Sequence, residues 1–183
     1  MNASEKAIQE TKNWIADVVV GCNFCPFASR VLKMDSIRYI ATSSPKMEDI
    51  LQAFLAECEY LDAHPEIETS LLILLKSNEN FDDYLELVGL AEDLLDEEDY
   101  EGVYQVASFH PDYIFSGAPP DDPANFTNRS IYPMLHLLRE ESIERAIDKF
   151  PDPESIPDNN IAFARKKGFA ALEALRKACI LPG

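Results

Sequence analysis

A layered α/β domain, with helices on both faces of a small, mainly parallel sheet, is the architecture this sequence predicts. Three observations predict it. Segments 37–43, 69–76 and 101–109 have the apolar, β-branched or aromatic content of strands. The stretches between them repeat apolar residues at helical spacing, and strands that alternate with helices pair in parallel through right-handed crossovers. The middle segment, TSLLILLK, is apolar without alternation, the mark of a strand covered on both faces. The expectation is a single three-layer domain over residues 1–183, with three strands in the order 1-2-3 and about five helices.

The elements follow in chain order. Residues 4–20 read as a helix whose apolar face is Ile8, Trp14, Ile15, Val18 and Val19, and Gly21 ends it. The link CNFCPFA is non-helical at Cys25, because proline disfavours helix at the residue before it. After the first strand, Ser44-Pro45 predicts a helix start, with Ile50, Leu51, Phe54, Leu55, Cys58 and Leu61 as its buried stripe. His64 closes that helix before Pro65. Asn80 and Asp83 open the next in capping-box style, with Leu85, Val88, Leu94 and Leu95 facing inward. Beyond Ser130 the chain reads as helical through MLHLLRE and SIERAIDKF. PDPESIP is then a linker, and one closing helix runs from Pro157 to Cys179. With both crossover helices on one face of a 1-2-3 sheet, the first helix and the C-terminal ones must cover the other.

Composition narrows the function. The chain has 183 residues and a net charge of −17, which argues against a broad phosphate-backbone footprint. Seven of the ten residues in EDLLDEEDYE (92–101) are acidic, but the run lacks the spacing and central glycine of a calcium loop and reads as a solvated helix face. No apolar stretch approaches the ~20 residues that cross a bilayer, and the N-terminus lacks a signal peptide's apolar core. The expectation is a cytoplasmic protein with no nucleic-acid or membrane partner, whose cysteines 22, 25, 58 and 179 stay reduced.

Residues 111–131, PDYIFSGAPPDDPANFTNRSI, form a connection of 21 residues after the third strand. A loop of that length in a compact domain is usually functional or disordered, and Tyr113, Phe115 and Phe126 argue for order. Ligands collect beyond the carboxyl ends of parallel strands, where this loop begins. His110 and Asp112 sit at that strand end. Asn125, Thr127, Asn128, Arg129 and Ser130 close the loop, and His136 lies just beyond it. With a helix starting after Ser130, its free amides and Arg129 would make an anion-binding corner. A purely structural account also stands: Asp112 and Asn125 tie the backbone of the loop, and His110 is a satisfied buried imidazole.

GCNFCPFA allows several chemistries. It follows a helix, so the redox geometry of a low-pKa cysteine at a helix start is not indicated. It has no second ligand pair for zinc, though Cys22, Cys25, His110 and His136 could together supply four ligands. Cys25 could instead be a single nucleophile brought beside His110, or a cysteine packed in a tight link.

Four stretches, GCNFCPFA, VASFHPDYIFSG, DDPANFTNRSIYPMLHLLRE and SIERAIDKFP, resemble a bacterial family of uncharacterised proteins known as a domain of unknown function. The resemblance covers nearly the whole chain and implies no established activity, substrate or cofactor. The family pattern has leucine where this chain has Cys22, which counts against a Cys22 dithiol or metal ligand, and proline at the position of Ile131. Its polar positions fall here on Asn23, Cys25, His110, Asp112, Asn125, Thr127, Asn128, Arg129, Ser130, His136 and Arg139.

The functional expectation is a small enzyme acting on an anionic small molecule. Asn125, Thr127, Asn128, Arg129, Ser130 and His136 would bind it, His110 would act as acid or base oriented by Asp112, and Cys25 would be the nucleophile. The alternatives are a non-catalytic ligand- or protein-binding module at the same corner, and a metal-binding protein using His110, Asp112 and His136. Cofactor and oligomeric state are left open.

Overall fold

The computed structural model describes residues 1–182. Its sheet has four strands, β1 (Ile37–Thr42), β2 (Thr69–Leu74), β3 (Tyr104–Phe109) and β4 (Met134–Arg139), in the order β1-β2-β4-β3. β1 and β2 are parallel, while β4 lies antiparallel to both β2 and β3. The expected three-stranded, mainly parallel sheet is therefore a mixed one, and its order is corrected by the insertion of β4.

The correction has a local cause. MLHLLR is built from good helix formers with apolar residues at helical spacing, and it contains no β-branched residue. As a central strand it instead sends Leu135 and Leu137 to one core and Met134 to the other. Burial on both faces removes the alternation that would have announced a strand. Tertiary pairing overrides propensity here.

Helices cover both faces. On one side α3 (Met47–Ala63) and α4 (Phe81–Glu97) pack Ile50, Phe54, Cys58, Leu61, Tyr84, Leu87, Ala91 and Leu95 against Leu72, Leu74, Tyr104, Leu135 and Leu137. These are the two crossover helices, and they share a face as expected. On the other side Trp14, Ile15, Val18, Val19, Cys22, Phe24, Phe126, Ala164, Leu172 and Cys179 surround Leu71 and Met134. The four buried aliphatics Leu71 to Leu74 of β2 serve both cores, as the unbroken apolar run implied.

The first helix begins as α1 (Ala3–Trp14) and continues as a π-helical turn over Ile15–Val20. An added Cβ at Gly21 would lie 2.2 Å from the Asp17 carbonyl oxygen, so only glycine fits this exit. A short α2 (Ala28–Lys33) follows, unforeseen because six residues give too little periodicity. α3 starts at Met47 rather than at Pro45, with Lys46 as its cap, while the Ser44 hydroxyl donates to Asp49 at 2.6 Å.

Asn80 caps α4 as expected, accepting from the amides of Asp82 and Asp83. Of the expected α4 stripe, Leu95 is buried and Val88 and Leu94 pack against the core, while Leu85 is exposed and Tyr84, Leu87 and Ala91 fill the inner face. Tyr84 faces inward because its hydroxyl donates to the Met134 carbonyl and accepts from the Phe109 amide, each at 2.8 Å, where β3 and β4 part.

The expected closing helix is two, α6 (Ile156–Lys167) and α7 (Phe169–Ala178), separated by Gly168 at φ 84°. With α5 (Glu140–Ile147), there are seven α-helices among the described residues. None of them is long and apolar enough to cross a membrane.

Candidate functional site

The long loop joins β3 to β4, so no helix starts after Ser130 and the expected row of free amides there does not exist. The only helical piece of the loop is a 3₁₀ turn, Pro123–Thr127, capped by the Asp122 carboxylate on the Ala124 amide at 2.9 Å. Chain that packs without a ladder must satisfy its backbone groups by other means, and the loop's polar side chains supply them. Asn125, fully buried, accepts from the Phe115 amide and donates to the Pro119 carbonyl, both at 3.0 Å. Asn128 donates to the Ser108 carbonyl at 3.0 Å, Thr127 to that of Ala124 at 3.0 Å, and Ser130 to that of Tyr132 at 2.5 Å.

Arg129 is buried as well. Its Nε donates to the Tyr113 carbonyl at 3.0 Å and its Nη2 to that of Pro120 at 2.7 Å. The guanidinium lies 5.1 Å from the Phe126 ring centre and 5.6 Å from that of Phe169. Arg176 of α7 performs the same service from outside, donating to the carbonyls of Pro111 and Ser130 at 3.1 and 3.0 Å. The Trp14 indole donates to the Arg129 carbonyl at 3.1 Å and ties the loop to α1.

His110 has no exposed surface. Its Nδ1 accepts from the Asp112 amide at 3.0 Å, and its Nε2 faces the Asn78 carbonyl at 2.9 Å. An amide can only donate, so Nδ1 carries no proton and Nε2–H donates to Asn78. The ring sits 5.3 Å from Phe81 and 5.0 Å from Tyr84. Burial holds its pKa below the ordinary histidine value, against the opposing pull of the Asn78 carbonyl and the Asp112 charge. The Asp112 side chain is exposed, and it is the backbone of Asp112 that orients the imidazole. Asn78 takes φ 56°, a left-handed conformation uncommon outside glycine and asparagine.

His136 lies on a strand and not on the expected helix. It stands opposite Leu71 on β2 and Ala107 on β3, in mid-sheet. Thr69 Oγ1 donates to the Leu137 carbonyl and so accepts from His136 Nε2–H at 2.7 Å. Burial lowers the pKa of His136 to about 4. A strand end and a strand middle do not converge, which corrects the expectation of a metal held by His110, Asp112 and His136. Among the described residues no three His, Cys, Asp or Glu side chains are placed to hold a metal ion, the set Cys22, Cys25, His110 and His136 included.

The structure does bring Cys25 to a cleft of about 650 Å³. Val19 of the π-helical turn and Phe24 line it with the cysteine, Phe109 lines it from the end of β3, and Asn128 from the loop beside that end. Phe115 to Pro119, Asp122, Ala124 and Thr127 come from the loop, and Ile156, Asn160, Ile161 and Arg165 from α6. Neither His110 nor Arg129 lines it. All four cysteines are free thiols, and Cys22, Cys58 and Cys179 are buried in the two cores. Burial raises the Cys25 pKa, and the amides of Phe27 and Ala28 offset only part of the effect.

Two groups of this cleft escaped the sequence. Arg165 grips Asp122 through Nη2 at 2.7 Å and Nε at 3.2 Å, and Asn160 donates to the Phe24 carbonyl at 2.7 Å. The Asp122 carboxyl is held below its ordinary pKa by Arg165 first and by the Ala124 amide second. Nothing local links Arg165 to an acid 43 residues earlier.

A family model described as a protein of unknown function, DUF1415, matches residues 6–174. The chain belongs to the DUF1415 family. The matched span contains every residue that lines the cleft. No curated protein and no solved structure matches this DUF1415 chain.

Proposed function

We propose that the Cys25 cleft binds a small, mainly apolar molecule bearing one polar or anionic group, and that the chain acts first as a ligand-binding domain. The cleft carries this reading. Its volume is that of an ordinary small-molecule site, its walls are largely aromatic and aliphatic, and a few polar groups converge on it. The Arg165 guanidinium is the partner for the polar end, with the second amide hydrogen of Asn160, whose first is on the Phe24 carbonyl, beside it. His110, Asn125, Arg129 and Ser130 are engaged with backbone groups, which favours binding over acid–base catalysis at the strand end.

A second reading is supported by the amides of Phe27 and Ala28 beside Cys25. A ligand that adds positive charge near the sulfur would turn the thiol into a nucleophile, and the module into an enzyme.

Thermal-shift measurements with aliphatic and aromatic carboxylates, beside their neutral amides, test the binding reading. A binder present at a hundred times its Kd adds about 2.7 kcal/mol of stability and raises Tm by several degrees. It should also protect Cys25 from iodoacetamide, followed by mass spectrometry. Stabilisation without protection would place the site elsewhere. In the free protein the raised Cys25 pKa predicts alkylation that is slow at neutrality and climbs about tenfold per pH unit up to at least pH 9. A plateau at neutral pH would favour the enzyme.

A further inference from the structure

The wall of the cleft formed by α6 buries little of its own surface. Of its twelve residues only Ala164 is buried, whereas α3 buries Ile50, Phe54, Glu57, Cys58 and Leu61. Beyond Ala164 in the core, α6 is held by its packing along the Pro123–Thr127 turn, and an element with so few buried apolar residues opens at lower cost than a core helix such as α3. Three side-chain ties close α6 over the cleft: Asn160 on the Phe24 carbonyl, Arg165 on Asp122, and the Phe163 ring 5.8 Å from that of Phe24 in an edge-on contact. At the C-terminal end of α6 stands Gly168 at φ 84°, ψ 155°, a conformation open to glycine.

We propose that α6 is a latched lid over the Cys25 cleft, with the Asp122–Arg165 pair as latch and Gly168 as hinge. The proposal rests on the cleft being a ligand site, and it assigns how that site is gated. The charges make the latch reversible. When it parts, Asp122 keeps its bond to the Ala124 amide and gains water as the helix lifts, and Arg165 is already 60% exposed. No buried charge is stranded by opening. The grip therefore biases the lid without locking it, as expected of an ion pair with one partner in solvent. A ligand with an anionic group would compete with Asp122 for the same guanidinium.

The test compares alkylation of Cys25 by a bulky maleimide in the wild-type chain, Arg165→Gln and the double variant Asn160→Ala/Arg165→Gln, with labelling sites assigned by tandem mass spectrometry. Loss of the ion pair should raise the rate by about 1.5- to 5-fold, and the double variant by about 10-fold or more. Hydrogen exchange on the unaltered protein supplies a readout that needs no variant: α6 amides should exchange at least about 100-fold faster than those in the middle of α3. Unchanged alkylation in the double variant, or α6 protection equal to that of α3, overturns the lid. Neither result touches the ligand reading, which stands or falls on stabilisation and protection by the carboxylates.

Discussion

Replacing His110 with alanine should lower the unfolding free energy by about 3–5 kcal/mol, read from urea transitions at pH 7.5. The residue is fully buried, and alanine strands two polar groups, the Asn78 carbonyl and the Asp112 amide. It also leaves a cavity between the Phe81 and Tyr84 rings. Glutamine can still donate toward Asn78, and a loss of about 1–2 kcal/mol is expected for it. Asp112→Asn should be nearly silent, because the side chain is exposed and only its amide touches the imidazole. A His110→Ala chain as stable as wild type, yet unable to bind the carboxylates that stabilise the parent, would return His110 to the ligand site.

The stability of the chain should fall as pH drops below about 6.5, and His136 should account for much of the fall. The unfolded chain binds a proton at this imidazole near pH 6.5. The folded chain resists protonation until about pH 4, because burial disfavours the charged ring. Unfolding therefore takes up a proton between these values, and the stability present above pH 6.5 drains away toward pH 4. The difference amounts to on the order of 3 kcal/mol for this one group. His110, lowered in the same direction, adds to the trend. His136→Gln should flatten the wild-type profile over this window in urea unfolding measured at stepped pH. Parallel profiles would show that His136 takes up its proton as readily in the folded chain as in the unfolded one.

The same two histidines show how far local sequence reaches. FHPDY announced a polar device at a strand end, and the structural alternative, a satisfied imidazole with the loop backbone tied by Asx residues, matches the bonds of His110 and Asn125. It is the backbone of Asp112, however, that makes the tie. The carbonyl that completes the bonding of the imidazole belongs to Asn78, 32 residues away. Arg129 was singled out as the cation of an anion-binding corner, but its carbonyl partners depend on the path the loop takes. Cys25 was singled out for its thiol, and the cleft that gives the thiol a setting is closed by Asn160 and Arg165 of a helix more than a hundred residues later.

What the sequence determined by itself is what short-range physics encodes. The amphipathic first helix, the stripe of α3, the Asn80 cap and the doubly buried β2 each follow from periodicity, capping chemistry or an unbroken apolar run within a few residues. Tertiary structure alone decided that MLHLLR is a strand, because apolar residues flanked by strands on either side lose the alternation that separates strand from helix. It alone decided that the long loop bridges β3 to β4 rather than opening a helix, and so removed the amide corner and turned Arg129 into a brace. The physical reason is common to both. Periodicity reports that a face is buried but not what buries it, and a polar side chain reveals its bonding capacity but not the carbonyl, amide or cleft that the fold brings to it.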